Sequence, residues 1–322
     1  MISYRAFSKR YGSHRAVDDL SFRVEPGETV ALLGPNGSGK TTTIKAAAGL
    51  IRPSAGEVRL GEPGRPATEP HARRIVSFLP QKVVFPEVLT GREVLEFYSA
   101  LRATAPDRID AVLRFASLNG ASDRPVGAYS GGMVQRLGLA VAVLPEAPVL
   151  LLDEPTAALD PDGLCAFYGL VEQRKRDGAS VFFSSHQMGD IERLADRFAI
   201  LVNGRLVAAL SRADLTARLA DRGLMRVRVD RQPDGLIDRV RAIAPRAVWA
   251  MDELIVPGPA SMRPIVLDLV RDAGAEIRGL TAEEGRLDVF YRELVGAAEW
   301  PRNAHGRNHG RNHGVNDGKA TG

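Results

Sequence analysis

Apolar positions in the first two hundred residues fall into short blocks that switch between strand-like and helix-like spacing. Residues 29–33 and 58–60 are apolar or β-branched runs flanked by Gly and Pro, which predicts short strands joined by turns. The first of these runs directly into GPNGSGKTTTIKAAAGL, where Gly-rich backbone gives way to helix formers that end near Gly49, ahead of Pro53. The order is strand, loop, helix. From about 83 to 144 the spacing is helical, opening on Thr90 and Glu93 at capping-box separation before Val94, Leu95, Tyr98 and Leu101. This predicts a helical subdomain inserted over about residues 83–145. A strand returns at VLLLD (149–153), then a helix that Asp160 caps with Pro161 at its first position, then a strand in SVFFSSH that leads to His186. Strands alternating with helices predict a mainly parallel sheet whose ligand crevice lies beyond the carboxyl ends of its strands.

After the turn dipeptide Asn203-Gly204 come LVAAL and a polar helix near 211–221. The segments RVRV, LIDRVRAI, AVWAMDELIV, PIVLDLVRDAG, AEIRGL and DVFYRELV then follow in a β-α-β-α-β-α rhythm. The expected organisation is an α/β unit over 1–220, a small accessory α+β domain over 221–300, and a tail over 301–322. That tail is Gly, Asn, His and Arg with almost nothing apolar to offset its ordering entropy, so disorder is expected.

Composition narrows the class. In 322 residues no apolar run approaches the roughly 18 that a membrane helix needs, and MISYRAFSKR lacks the hydrophobic centre of a signal peptide, so a cytoplasmic protein is expected. The one thiol, Cys165, excludes an intramolecular disulfide and a cysteine-built zinc site, and a buried structural cysteine is the expectation. The net charge of +4 is the small difference between 43 basic and 39 acidic side chains, and no nucleic-acid partner is expected.

The candidate chemistry centres on Gly34–Thr41, which fits G-x-x-x-x-G-K-[ST] in the strand-to-helix context that the motif requires. Gly34, Gly37 and Gly39 let backbone N–H groups turn inward around phosphate oxygens, and the helix beginning near Lys40 adds its positive end. Lys40 is placed to neutralise β- and γ-phosphates, and Thr41 to offer a hydroxyl to Mg²⁺. The apolar strand 149–153 delivers Asp153 and Glu154, one suited to a magnesium shell and the other to orienting or deprotonating water. Ser130, Gly131 and Gly132 open another helix with a serine cap and free N–H groups, an anion site on physical grounds alone.

GPNGSGKT, LPQ, YSGGMVQR, LLLDEP, ALD and SSH, in this order and with 90 positions between Lys40 and Ser130, resemble the ATP-binding cassette ATPases over about residues 1–210. The resemblance implies a P-loop NTPase fold with an inserted helical subdomain, ATP and Mg²⁺ as ligands, and a head-to-tail homodimer with two ATPs at its interface. It also implies a polytopic membrane permease as partner and a peripheral position on the inner face of the cell membrane. Carried over by position, Pro35, Asn36, Ser38 and Thr42 complete the phosphate loop, Tyr11 matches the aromatic that stacks on adenine, and Gln81 matches the glutamine that reaches Mg²⁺ and water. His186 matches the switch histidine near the γ-phosphate. Ser130–Gly132 match the signature that acts on the other copy's ATP, and Asp160 matches the loop coupling the two sites. The signature departs from the commonest family form at Tyr129, expected to be harmless, and at Met133, which removes a polar side chain near the interface.

Phe85, in the run after Gln81, is either subdomain core or an anchor for the permease. GRLDVFYREL resembles the ending of cassette subunits that pair with ABC-2 type permeases. LPQKVVFPEVLTGREVLEFY resembles the ATPase of the nitrous-oxide-reductase maturation system, which implies a role in assembling a copper site. Drug, lipid or polysaccharide export, and regulation of a membrane partner without transport, are the alternatives. His305, His309 and His313 recur every four residues, but the glycine after each disfavours a helix presenting them together, and a solvating tail is preferred to a metal site.

Overall fold

The computed structural model describes residues 1–157 and 159–303; the polar tail with His305, His309 and His313 lies outside the described residues. The chain opens with a hairpin of two long strands, β1 (Ile2–Tyr11) and β2 (His14–Val24), where the sequence predicts short ones. It continues through β3 (Thr29–Leu33), α1 (Lys40–Ala47), β4 (Ala55–Leu60), β5 (Arg65–Pro66), α2 (Pro70–Arg73) and β6 (Val76–Leu79). The helical insertion follows as α3 (Gly91–Arg102), α4 (Arg108–Phe115) and α5 (Gly131–Val143). Thr90 caps α3 as predicted, its Oγ1 accepting from Glu93 N while its own N–H donates to Glu93 Oε2 at 2.8 Å. The chain then returns to the sheet through β7 (Val149–Asp153), α6 (Pro161–Arg176), β8 (Ser180–Ser184), α7 (Met188–Leu194), β9 (Arg197–Val202), β10 (Arg205–Ser211) and α8 (Arg212–Ala220).

The central sheet has the order β10-β9-β3-β8-β7-β6, parallel except for β10. Every residue of β3, β7 and β8 is buried, because the sheet is covered on both faces and alternate side chains feed different cores. Ala31, Leu33, Leu150, Leu152 and Phe183 join the core shared with the helical insertion. Val30, Leu32, Val149, Leu151 and Phe182 point the other way, toward α1 and an antiparallel sheet of order β2-β1-β4-β5. Tyr4 pins that second sheet to α1: its hydroxyl donates to Thr43 O at 2.9 Å and its ring stacks on Phe22 at 4.7 Å.

Residues beyond 221 fold as β11 (Leu224–Val229), α9 (Leu236–Arg241), β12 (Val248–Ala250), β13 (Glu253–Pro257), α10 (Met262–Asp272) and β14 (Ile277–Glu283). The antiparallel order β12-β13-β11-β14 gives the β-α-β-β-α-β arrangement. The single strand expected across AVWAMDELIV is therefore a hairpin, turning at Met251 and Asp252 with Ala250 paired to Glu253. The last helix, α11 (Leu287–Asn303), continues through Pro301, where the sequence predicts the tail to begin. Its Leu287 and Phe290 are buried in the core shared by the central sheet and the helical insertion, so it packs back on the first unit.

Cys165 is exposed, against the expectation of burial. The buried stripe of α6 runs through Gly163, Phe167, Val171 and Arg174, and Cys165 falls out of phase with it.

Candidate active site

The carboxyl ends of β3, β6 and β7 meet the tip of the β1–β2 hairpin around an open cavity of about 310 Å³. Lys40, Thr41, Thr42, Asn36, Gly37 and Gly39 form its floor, Tyr11 its rim, and Gln81 and Glu154 its far wall. Nine of the sequence-predicted residues thus share one space. His14 and Ala16 also line it, and neither belongs to a recognisable motif.

Local backbone chemistry shapes the floor. Gly39 caps α1 at φ 102°, and a Cβ there would sit 2.5 Å from Ala16 O, so both conformation and space demand glycine. At Gly34 a Cβ would sit 2.3 Å from Leu201 O. No side chain caps α1, which leaves first-turn N–H groups facing the cavity. Gly34 and Ser38 are buried beneath this surface and Pro35 is half-buried. The Oγ of Ser38 has no hydrogen-bond partner among the described residues.

Lys40 is only 7% exposed. Its Nζ donates to Gly34 O at 2.7 Å and Pro35 O at 3.2 Å, two neutral carbonyls that a phosphate anion outcompetes. Burial lowers its pKa, and the nearby carboxyls of Glu154 and Asp153 act in the opposite direction.

The acidic pair divides as its chemistry requires. Asp153 is buried at the end of β7; its Oδ1 accepts from Ser184 Oγ at 2.6 Å, while Oδ2 is buried with no partner among the described residues. A sequestered oxygen acceptor of this kind suits a hard divalent cation, although Asp153 itself, unlike Thr41 and Gln81, does not line the cavity. Glu154 adopts φ 55°, a left-handed conformation held by two hydrogen bonds from its N–H to Ser184 O and Oγ. That turn aims its carboxyl at the cavity and brings Oε1 to 2.8 Å from His186 Nε2.

Ser130, Gly131, Gly132 and Asp160 do not line this cavity. Ser130 caps α5, its Oγ accepting from Met133 N at 3.3 Å, and the first turn lies open to solvent. Met133 serves that cap through its backbone. Tyr129 is not passive: its hydroxyl donates to Ala121 O at 2.7 Å and its ring occupies the space beside Gly91. Asp160 caps α6 by accepting from Gly163 N at 2.8 Å, and its other oxygen lies 3.6 Å from Arg136 of α5.

The family profile described as ABC transporter matches residues 17–157. The uncharacterized ABC transporter ATP-binding protein YxlF of Bacillus subtilis is 40% identical over 211 residues, 64% of this chain and 69% of that protein. This chain belongs to the ABC transporter ATP-binding subunits. The Nod factor export ATP-binding protein I of Burkholderia orbicola is 41% identical over 212 residues, 64% of this chain and 69% of its own length. Among solved structures, an ATP-binding subunit of an ABC transporter superimposes with a TM-score of 0.64 at 30% identity, covering 68% of this chain and 92% of that one. The fold is the P-loop ATP-binding cassette, and its reaction is ATP hydrolysis.

Proposed function

We propose that two copies of this subunit, arranged head to tail, hydrolyse ATP with Mg²⁺ and thereby drive export through a separate polytopic permease of the ABC-2 type. The observation that carries the dimer is the incomplete site: the cavity holds the phosphate loop, Glu154 and Gln81, while the open N-terminus of α5 at Ser130–Gly132 lies elsewhere on the same chain. A second copy in head-to-tail orientation would bring that N-terminus to the γ-phosphate, where its N–H groups and positive end favour the developing charge.

In this reading Lys40 and the loop N–H groups bind the β- and γ-phosphates. Thr41, Gln81 and Asp153 would hold Mg²⁺, which when bound polarises the phosphate oxygens. Glu154 accepts the proton of the attacking water as its oxygen bonds to the γ-phosphorus, and the β–γ bridging oxygen leaves with ADP. His186 holds Glu154 in place and donates to the γ-phosphate.

Tyr11, 49% exposed with Lys9 Nζ 5.1 Å from its ring centroid, offers a free face to adenine. Tyr11→Ala is expected to weaken ATP binding about tenfold while Tyr11→Phe does not, since base stacking contributes about 1–3 kcal/mol; isothermal calorimetry checks this.

For the permease, Phe85 turns out half-buried, its ring 6.3 Å from that of Tyr98, while Val84, Val88, Phe97 and Leu101 are the exposed apolar groups around it. Phe97 packs edge-on against Tyr98 at 5.4 Å, and Tyr98 and Leu101 line a groove with Leu50 and Phe78, a surface suited to a short amphipathic helix of a membrane protein. Val88→Asp combined with Phe97→Asp is expected to release the subunit from membranes and leave its basal ATPase within about twofold, because neither side chain lines the nucleotide cavity; membrane flotation and phosphate release test the two halves.

Among the described residues no helix is long and apolar enough to cross a membrane, and a peripheral position at the inner face is part of the proposal. Export is supported by the name of the Burkholderia relative. Copper-site assembly for nitrous-oxide reductase is a narrower form of the same proposal and rests on the 79–98 segment alone.

A further inference from the structure

Asp190, near the start of α7, is 1% exposed and belongs to none of the motifs. Its Oδ2 accepts from Thr156 Oγ1 at 2.5 Å and from Ser185 Oγ at 3.1 Å, and its Oδ1 accepts from Tyr168 OH at 2.6 Å. Ser185 Oγ in turn accepts from Gln187 N at 3.0 Å, which fixes the bend on both sides of His186. Thr156 lies two residues beyond Glu154, and Ser185 immediately precedes His186. One buried carboxyl group therefore ties together the chain segments that leave β7 and β8. Buried polar groups of this kind act as a unit, because losing one leaves the others without partners in a low-dielectric setting.

What these segments carry needs such support. Glu154 is held at φ 55°, and His186, 45% exposed at its side chain, is held to Glu154 by one 2.8 Å contact. With nearly half of the His186 side chain open to solvent, enclosure at its tip does not set that distance, and the backbones behind the two residues carry more of the task. We propose that Asp190 is a positioning residue for ATP hydrolysis: through Thr156 and Ser185 it fixes the distance between Glu154 and His186. This rests on the assignment of hydrolysis to Glu154 and His186. The phosphate loop and Tyr11 stand on α1 and β1, outside the network, so ATP binding does not depend on it.

The test compares Asp190→Ala, Asp190→Asn, Thr156→Val and Glu154→Gln in the full-length protein, with kcat and KM for ATP measured for each. Asp190→Ala is expected to lower kcat about tenfold or more with KM within about twofold, because small misplacements of reacting groups are costly. Asp190→Asn keeps an acceptor oxygen and adds an N–H that hydroxyls can accept, so it is expected to return to within about threefold of the parent. Thr156→Val, which does not disturb the carboxyl itself, gives a smaller fall in kcat at unchanged KM and serves if Asp190→Ala does not fold. Tyr168 supplies an independent readout: burial first and the Asp190 contact second push its phenol up to about 12, so Asp190→Ala is expected to shift its absorbance titration downward. An unchanged kcat in Asp190→Ala and Thr156→Val, a rise in KM matching the loss of kcat, or an Asn variant no better than Ala overturns the proposal. Persistent turnover in Glu154→Gln removes the underlying assignment instead, whatever the Asp190 variants do.

Discussion

Glu154→Gln is expected to lower ATP turnover at least about 100-fold while ATP remains bound, the effect of removing a general base. Glutamine keeps the size of the side chain and its position beside His186, and the left-handed backbone at 154 is held by hydrogen bonds from its own N–H to Ser184, which the substitution leaves in place. What it loses is the ability to take a proton. The phosphate loop, Lys40 and Tyr11 are untouched, so binding persists and the nucleotide stays trapped between two copies. Light scattering on the variant is expected to show a doubling of mass on adding ATP, and phosphate release is expected to be near background. Turnover at the parent rate would remove Glu154 from the chemistry.

Lys40→Ala is expected to act on the other half of the cycle, weakening ATP binding at least about 100-fold, equivalent to about 2.7 kcal/mol. The ammonium is almost fully enclosed by its own loop and held by Gly34 O and Pro35 O, poised where phosphate oxygens enter. Removing it leaves multiply charged phosphates facing only backbone dipoles, and hydrogen bonds to charged groups contribute about 1.5–3 kcal/mol each. Calorimetric titration with ATP measures the loss. Because alanine fits the start of α1 and Lys40 forms no salt bridge among the described residues, the melting temperature is expected to change little. An affinity within a few-fold of the parent would contradict the loop assignment.

The elements that bear the phosphate chemistry were readable because local chemistry dictates them. Gly39 must be glycine for a left-handed cap, Thr90 and Glu93 satisfy each other's backbone, and Asp160 with Pro161 begins a helix whatever surrounds it. Elements decided by tertiary packing were less legible. Met251 and Asp252 carry no Gly or Pro turn signal, so a hairpin looks like one strand. The amphipathic stripe of α11 is plain, but no sequence period says that Leu287 and Phe290 pack on the first unit's core. Cys165 and Phe85 each lie near a boundary of helix phase or loop path that composition does not resolve. Asp190 illustrates the limit most sharply: one of two acids in a short amphipathic helix gives no signal until folding gathers Thr156, Tyr168 and Ser185 around it. The Ser184-Ser185 pair that follows the apolar run Val181–Phe183 was the available hint that the ends of β7 and β8 are joined by hydrogen bonds.

The most direct measurement is affinity purification of the tagged Glu154→Gln subunit from membranes in mild detergent with ATP, with subunit stoichiometry and identity read by mass spectrometry. A stoichiometric complex containing two copies of this chain and a polytopic permease, lost in the Val88→Asp, Phe97→Asp background, is the result predicted. Recovery of the ATP-bound subunit with soluble partners alone, and with no membrane protein in stoichiometric amount, would contradict the assignment to an exporter while leaving the ATPase in place.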